Sequence, residues 1–256
     1  MVEGPTAKAY ALRIEQNFKN SIIEKIETKS KKIFIDLNSL IGKKIKRVET
    51  IGKNIILLVN GFAIRLHLMM YGTIHIYSLN EPLLKPERLI RLFIQTKEKK
   101  LVVYNAPIVE IGKDDLVEKL LKELGRDPLR EDWDREETLR RIKACKGRKI
   151  GEVLLDQKVI AGIGNILRNE ILFRAKIHPE RLVDELKDEE IRRILEVTEK
   201  LCKKFLEFKL KKKRIKPLLF VYNRYNKLCR VCCNPIKFYL QEPIKRKTFV
   251  CENCQK

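Results

Sequence analysis

The stretch Leu154–Pro179 reads LLDQKVIAGIGNILRNEILFRAKIHP and contains the most specific local pattern of the chain. An apolar segment leads to Gly162 and Gly164, and a second helix is predicted to begin at Asn165. Glycine lets the backbone turn tightly and approach a phosphate without a side chain between them. The first turn of the next helix offers unpaired amide groups and the positive end of the helix dipole. The stretch therefore predicts a helical hairpin whose turn binds an anion.

A generic helical hairpin, in which the glycines serve packing alone, is the alternative. It accounts for the two glycines but not for Asn165 and the flanking residues together. The run LLDQ, AGIGNI, RNE, FRA and IHP resembles the helix–two-turns–helix motif of the formamidopyrimidine-DNA glycosylase / endonuclease VIII family. The resemblance implies that Asn165 and the backbone of Gly164 hold DNA phosphates.

The composition is that of a globular and strongly basic protein. Of its 256 residues 44% are apolar, and 56 basic side chains against 34 acidic ones give a net charge of +22. Such an excess of positive charge favours a polyanionic partner. The run Lys209–Lys216 is rich in lysine and arginine, although a basic run by itself is typical of a solvated surface.

The sequence contains no apolar run of the ~20 residues that span a bilayer, and its N-terminus lacks the apolar core of a signal peptide. We expect a soluble intracellular protein, in the cytoplasm or at the nucleoid, that acts as a monomer and does not bind membranes. Four of the seven cysteines are in metal-ligand spacing, which suits a reducing compartment better than a disulfide framework does.

The first part of the chain has the alternation of antiparallel strands. Asn54–Val59 and Phe62–His67 flank Asn60-Gly61, a typical two-residue hairpin turn. A second hairpin is predicted from Arg88–Thr96 and Leu101–Tyr104. After an N-terminal helix that ends near Phe18, this region is expected to fold as a sandwich or a flattened barrel.

Later segments have helical periodicity, and the last thirty residues are rich in β-formers. Helices are predicted at Asp114–Leu124, Lys149–Gln157, Asn165–Lys176 and Asp188–Lys209. The fold class is therefore α+β: an antiparallel β-sandwich with flanking helices, then a helical domain with a β-hairpin zinc finger. We predict domains at residues 1–128, 129–226 and 227–256.

Two cysteine pairs predict one structural zinc site. Each pair has two residues between its cysteines, and eighteen residues separate the pairs. This spacing is typical of a closed tetrahedral Zn²⁺ site around a β-hairpin, with no open position for catalysis. The ligands are Cys229, Cys232, Cys251 and Cys254. The neighbouring Cys233 is interpreted as a bystander.

The flanks of this module resemble the C-terminal zinc finger of the same family. Val221–Arg224 precedes the first pair, and Lys245–Phe249 leads into the second. Arg246 matches the hairpin arginine that, in the family, grips the phosphate beside the damaged nucleotide. Asn223 and Lys245 stand where the family has glycines.

The N-terminus resembles the family's nucleophile, which is the amine exposed when the initiator methionine is removed. Val2 replaces the family's proline; an α-amine with a pKa near ~7.7–8 is partly unprotonated at neutral pH and can form an imine. Glu3 matches the family's general acid, although a lone glutamate there could equally be a helix-start residue. Lys53 matches the family's second catalytic position, and Thr6 stands where the family often has a glutamate.

The segment His67–Gly72 resembles the family's loop that fills the gap left by an extruded base. Met70 and its neighbour Tyr71 are the predicted wedge residues, although such side chains at a strand end usually belong to a core. The 8-oxoguanine branch has an arginine and a phenylalanine in a second loop, where this chain has Asn105–Glu110 with neither. The resemblance is therefore closer to the endonuclease VIII branch and implies oxidised pyrimidines.

The resemblance extends from Val2 to Gln255 and implies a bifunctional DNA glycosylase/AP lyase of base excision repair. Its partner would be damaged duplex DNA, with single-stranded DNA as an open alternative. A non-catalytic, zinc-containing nucleic-acid-binding protein on the same scaffold is one rival, supported by Val2 and Thr6. An AP lyase without base excision is the other.

Overall fold

The computed structural model describes residues 2–256, which divide into two compact units. The first unit contains Val2 and Thr6–Glu123, and the second contains Glu3–Pro5 and Leu124–Lys256. The second unit includes the cysteine-rich end of the chain. The finer division into three domains stays a prediction.

The first unit is a β-sandwich with helices. Its elements are α1 (Gly4–Phe18), β1 (Lys25–Thr28), β2 (Lys32–Ile33), β3 (Ile45–Ile51), β4 (Asn54–Val59), β5 (Phe62–His67), β6 (Thr73–Ser78), β7 (Ile90–Gln95), β8 (Lys99–Tyr104), β9 (Ile108–Lys113) and α2 (Asp115–Glu123). Four strands pair in the order β1-β7-β8-β6 and five in the order β2-β9-β5-β4-β3. All pairings are antiparallel except the short β2–β9 pair.

Alternating apolar residues of both sheets form one core, which the buried face of α1 completes. The two predicted hairpins are confirmed. Val59 pairs with Phe62 across Asn60-Gly61. β7 pairs with β8, and β8 begins at Lys99, two residues before the predicted start at Leu101. The alternating residues Ile55, Leu57 and Val59 of β4 belong to this core, as expected for the inward face of a sandwich strand.

The second unit is helical and ends in a β-hairpin. Its elements are α3 (Arg135–Lys143), α4 (Ile150–Val153), α5 (Asn165–Ala175), α6 (Asp188–Leu210), β10 (Lys237–Gln241) and β11 (Arg246–Val250). Asp134 caps α3 by accepting the amide hydrogen of Glu137. The long helix α6 buries Ile191, Leu195 and Phe205. Among the described residues, no helix combines the length and apolarity needed to cross a membrane.

The predicted helix Lys149–Gln157 is wrong in length, because α4 makes only one turn and ends at Val153. Side chains build the turns that follow it. The Asp156 carboxylate accepts the amide hydrogen of Lys158, and the Gln157 carboxamide bonds with the backbone of Leu155, Gly162 and Ile163. Asp and Gln side chains thus replace helical hydrogen bonds here.

Candidate active site

The predicted nucleophile lies in the first unit beside the predicted wedge loop. The backbone nitrogen of Val2 donates a hydrogen bond of 3.0 Å to the carbonyl oxygen of Met69. Val2 also packs against the apolar core of its unit. Both contacts fix the position of the nitrogen. Met1, whose predicted removal would free this nitrogen as an amine, lies outside the described residues.

The wedge loop is a tight turn that exposes three large side chains. The Gly72 amide donates to the Leu68 carbonyl at 2.9 Å, and a Cβ on Gly72 would lie 2.7 Å from that same oxygen. Only glycine fits there. The side chains of this loop are exposed: 43% for Met69, 54% for Met70 and 74% for Tyr71. Large apolar side chains at a strand end are usually buried in a core, but these three are not.

Lys53 lies in the turn between β3 and β4, and buried polar contacts hold this turn. The Asn54 side chain donates to the Ile51 carbonyl at 3.0 Å and accepts from Arg65 Nε at 2.9 Å. Arg65 in turn pairs with Glu110 at 2.8 Å. No local pattern indicated that Arg65 and Glu110 support the turn, because their strands pair only in the folded sheet.

The positive charge of Lys53 also affects the pKa of His67. From the sequence, His67 was noted only as the first residue of the predicted wedge segment. Burial, and after it the positive charges of Lys53 and Arg65, lower the pKa of His67 to about 4. The imidazole is therefore neutral at pH 7. A neutral histidine beside Lys53 adds no repulsion to the positive charge there.

The segment that replaces the second wedge loop is too short to form a loop of any size. β8 ends at Tyr104 and β9 begins at Ile108, which leaves three connecting residues. Asn105 takes a left-handed conformation, and Ala106 is buried. This connection presents no large side chain that could read or cap a base.

In the second unit, the carboxylate of Glu3 occupies the start of α5. Its Oε1 accepts the amide hydrogen of Ile166 at 2.8 Å, and its Oε2 accepts that of Leu167 at 3.1 Å. Glu3 is only 1% exposed. Two backbone donors and the positive end of the α5 dipole stabilise its negative charge.

Gly164 provides the room for this carboxylate. A Cβ on Gly164 would lie 2.5 Å from both the carboxylate carbon and Oε1 of Glu3. The neighbouring segment is fixed as well, since the Gly4 amide donates to the Gly162 carbonyl at 2.8 Å. The glycines of the quoted stretch therefore allow residues 3–5 to approach the helical hairpin.

This arrangement revises the expected use of the α5 amides. The sequence suggested that they bind an external phosphate, whereas the amides of Ile166 and Leu167 bind Glu3. The amides of Gly164 and Asn165 precede those of Ile166 and Leu167. They donate no hydrogen bond to an acceptor within residues 2–256. An external anion would have to use these two.

The side chains of one α5 face hold the β10–β11 hairpin, and Asn165 is among them. Asn165 Nδ2 donates to the Lys247 carbonyl at 2.9 Å. Arg168, fully buried, donates to Lys247 O and Thr248 Oγ1 and to Gln241 Oε1. Asn169 Oδ1 accepts the Phe249 amide at 2.7 Å.

Arg168 was missed in the sequence because it is one of 56 basic residues. Burial lowers its pKa to about 10, so it remains charged at neutral pH. The hairpin that it holds carries Arg246 at the first position of β11, where the side chain is exposed. α5 thus fixes the strand from which the predicted phosphate ligand projects.

A buried glutamate of α5 orders the segment before the finger. The Glu170 carboxylate accepts the backbone amides of Phe220, Val221 and Tyr222, each at 2.9 Å, and pairs with Arg174. Burial and the negative charge of Glu3 raise the pKa of Tyr222. Tyr222 is therefore a protonated phenol within electrostatic reach of Glu3.

The four predicted zinc ligands lie together. The sulfur atoms of Cys229, Cys232, Cys251 and Cys254 all lie within 4.8 Å of one another, and the Cys232–Cys251 and Cys229–Cys254 separations are 3.4 and 3.9 Å. Tetrahedral Zn²⁺ with ~2.3 Å Zn–S bonds needs about 3.8 Å between sulfurs. Hydrogen bonds from Asn234 lower the pKa of Cys232 to about 6, which favours the thiolate that a metal binds.

Fold and site together define an α+β protein with a helical hairpin that binds a carboxylate and a Cys₄ finger that could hold a metal. Residues 1–107 match the formamidopyrimidine-DNA glycosylase N-terminal domain, and residues 124–220 match the formamidopyrimidine-DNA glycosylase H2TH domain. The two matches fall on either side of the boundary between the compact units.

Relatives with names from both branches are similar to this chain. A formamidopyrimidine-DNA glycosylase of Listeria innocua is 30% identical over 86% of this chain and 85% of its own length. A probable endonuclease 8 of Streptomyces coelicolor is 29% identical over 84% and 80%. The Lactococcus lactis Fpg bound to DNA that contains N7-benzyl-Fapy-dG has the same fold, with a TM-score of 0.87, 23% identity and 99% of both chains covered.

The chain therefore belongs to the formamidopyrimidine-DNA glycosylase / endonuclease VIII family of DNA repair glycosylases. The enzyme class of this family is DNA glycosylase with AP lyase activity.

Proposed function

We propose that this protein excises oxidised bases from DNA and then cleaves the strand at the abasic site. The α-amine of Val2 attacks C1′ of the damaged nucleotide, and the base leaves with a proton. The resulting Schiff base collapses by β-elimination and then δ-elimination, which breaks the 3′ and 5′ phosphate ester bonds in turn.

The observation that carries this proposal is the buried carboxylate of Glu3 at the start of α5. A protein that only binds DNA would gain more from leaving these amides to a phosphate. Here Gly164 makes room for a carboxylate covalently adjacent to Val2 instead. We propose that Glu3 transfers protons as the sugar ring opens. Lys53 binds the phosphate of the damaged nucleotide and assists these proton transfers.

DNA is held by groups of both units. Asn165, the Gly164 backbone and Arg246 bind phosphates, and Met70 with Tyr71 fills the gap left by the extruded base. The sulfur geometry fits one structural Zn²⁺ on Cys229, Cys232, Cys251 and Cys254. This ion would stabilise the finger that carries Arg246.

Oxidised pyrimidines are the proposed lesion class. The three-residue connection between β8 and β9 leaves the loop at Met70 to fill the duplex gap largely alone. A second candidate class is the formamidopyrimidines, which the names of the Listeria relative and the Lactococcus complexes favour.

Single-turnover excision on matched duplexes tests this function. Thymine glycol or 5-hydroxyuracil should be removed faster than 8-oxoguanine opposite cytosine, with little dependence on the opposite base. Glu3→Gln should bind the same DNA but lose excision, because base release needs the proton. Faster removal of 8-oxoguanine would refute the lesion class, and no strand cleavage of any substrate would favour the non-catalytic rival.

A further inference from the structure

A basic pocket lies at the C-terminal end of α6, apart from the groups assigned above. Its volume is about 650 Å³. The lining residues are Phe208, Lys213, Arg214, Lys216, Pro217 and Arg230. Four of the six are cations, and none is acidic. This set will be called the α6 pocket.

The backbone of the helix end places two of these cations. Lys212 takes a left-handed conformation, and the Lys213 amide donates to the Phe208 carbonyl at 2.8 Å. This is a Schellman cap, which reverses the chain after the helix. The reversal turns Lys213 and Arg214 back beside the ring of Phe208.

The other wall is fixed by the segment before the finger. The Arg174 guanidinium lies over the Phe220 ring at 4.5 Å and donates to the Leu218 carbonyl. Arg230 lies over the same ring at 5.5 Å and donates to the Pro217 carbonyl at 3.4 Å. These contacts order Pro217 and Arg230 before any ligand binds.

The cations of the α6 pocket are not neutralised within the protein. In the part of the chain that the structure describes, Lys213, Arg214, Lys216 and Arg230 form no ion pair. Most basic residues within α6 do form ion pairs, as Lys200 with Glu196 and Lys203 with Glu199 show. The pocket therefore combines unpaired positive charge with the rings of Phe208 and Pro217. This combination suits a nucleotide, whose phosphate can bind the cations and whose base can pack against the rings.

The position along α5 separates this pocket from the helix start that binds Glu3. Arg174 follows Asn165 by nine residues, which is a rise of ~13 Å along a helix. Stacked nucleotides of a DNA strand lie ~3.4 Å apart, so this rise exceeds the length of one nucleotide. The α6 pocket therefore suits a flanking nucleotide and not the damaged one.

We propose that the α6 pocket binds one nucleotide of an unpaired DNA strand, with the base against Phe208 and Pro217 and the phosphates on the four cations. The choice of DNA rests on the proposed function. A paired base is stacked inside its duplex and cannot enter, whereas proteins bind unpaired strands by combining aromatic stacking with a basic groove.

Fluorescence anisotropy of a labelled, undamaged dT12 strand tests this with the full-length, zinc-loaded protein. Phe208→Leu keeps the apolar packing but removes the stacking ring, and should raise Kd about 5-fold or more with little change in salt dependence. Lys213→Gln/Arg214→Gln should lower the slope of log Kd against log salt by about 1.4, at ~0.7 per phosphate contact. Thermal unfolding and zinc content check that each variant folds.

The matched control is Lys97→Gln/Lys122→Gln, which removes two exposed charges from the first unit. Its Kd should stay within about 2-fold of wild type. Equal losses in both charge pairs would overturn the proposal, as would an unchanged Kd for Phe208→Leu. An acidic protein segment is the alternative occupant of the pocket. The proposal would also be overturned if the pocket variants bound a glutamate-rich peptide more weakly but bound dT12 with unchanged Kd. Schiff-base trapping with the wild-type protein tests the proposed enzymatic function separately.

Discussion

Gly164→Ala should slow base excision by about 10²-fold while leaving the protein folded. The added Cβ would lie 2.5 Å from the carboxylate carbon and Oε1 of Glu3. Nonbonded carbon atoms prefer about 3.5 Å or more, so the carboxylate must move by about 1 Å. Its hydrogen bonds of 2.8 and 3.1 Å to the α5 amides would then exceed normal length.

A 1 Å displacement of a reacting group can cost about 10²-fold in rate, and we expect a loss of that size in single-turnover excision. The extended backbone at Gly164, with φ −119°, accepts alanine. The free energy of unfolding should therefore fall only by about 1–3 kcal/mol, from the two weakened bonds.

Gly112→Ala is the matched control, because the nearest atom to its Cβ would be Phe34 Cδ2 at 3.9 Å, an ordinary contact. Its excision rate should stay within about 2-fold of wild type. Excision by Gly164→Ala at the wild-type rate would show that the position of Glu3 against α5 does not matter for catalysis.

Three further predictions follow from the same contacts. Arg246→Ala should weaken binding to abasic-site DNA more than to undamaged DNA in a mobility-shift titration, whereas Lys97→Ala should weaken both slightly and equally; equal losses would deny Arg246 a fixed phosphate. The pKa of His67 is lowered to about 4 in the folded protein, so the unfolded state takes up a proton first, and stability is lost as pH falls below about 6.5. Between pH 7 and pH 5 the free energy of unfolding, measured with urea, should fall by about 1–2 kcal/mol more for the wild type than for His67→Gln. The same dependence of this free energy on pH in both proteins would contradict the prediction. Chelation of zinc, or Cys229→Ser, should reduce DNA affinity to that of Arg246→Ala or below, while a chelated protein with full affinity would show that the finger needs no metal.

Local signals account for what the sequence predicted well. Asn60-Gly61 requires a tight turn, which fixes the register of β4 and β5, and the cysteine spacing brings four sulfurs together. The length of α4 was mispredicted, because Asp156 and Gln157 side chains take over the backbone hydrogen bonds after Val153. Periodicity alone does not reveal that competition.

Long-range contacts account for what the sequence did not predict. Glu3 and Ile166 are 163 residues apart, and only the folded second unit shows that the start of α5 is occupied by a carboxylate. Arg168 looks like any other arginine of a basic chain until the structure buries it against the hairpin. Resemblance supplied the roles of Val2 and Lys53, which no local pattern would have distinguished.

Borohydride trapping on abasic-site DNA, followed by peptide mapping, tests the central claim most directly. Borohydride reduces the imine between the nucleophile and C1′ to a stable amine, so the adduct marks the reacting nitrogen. We predict one cross-link per protein, on the α-amine of Val2, and its loss when an N-terminal tag or retained Met1 blocks that amine. A cross-link on Lys53, or one undiminished by the tag, would contradict the account.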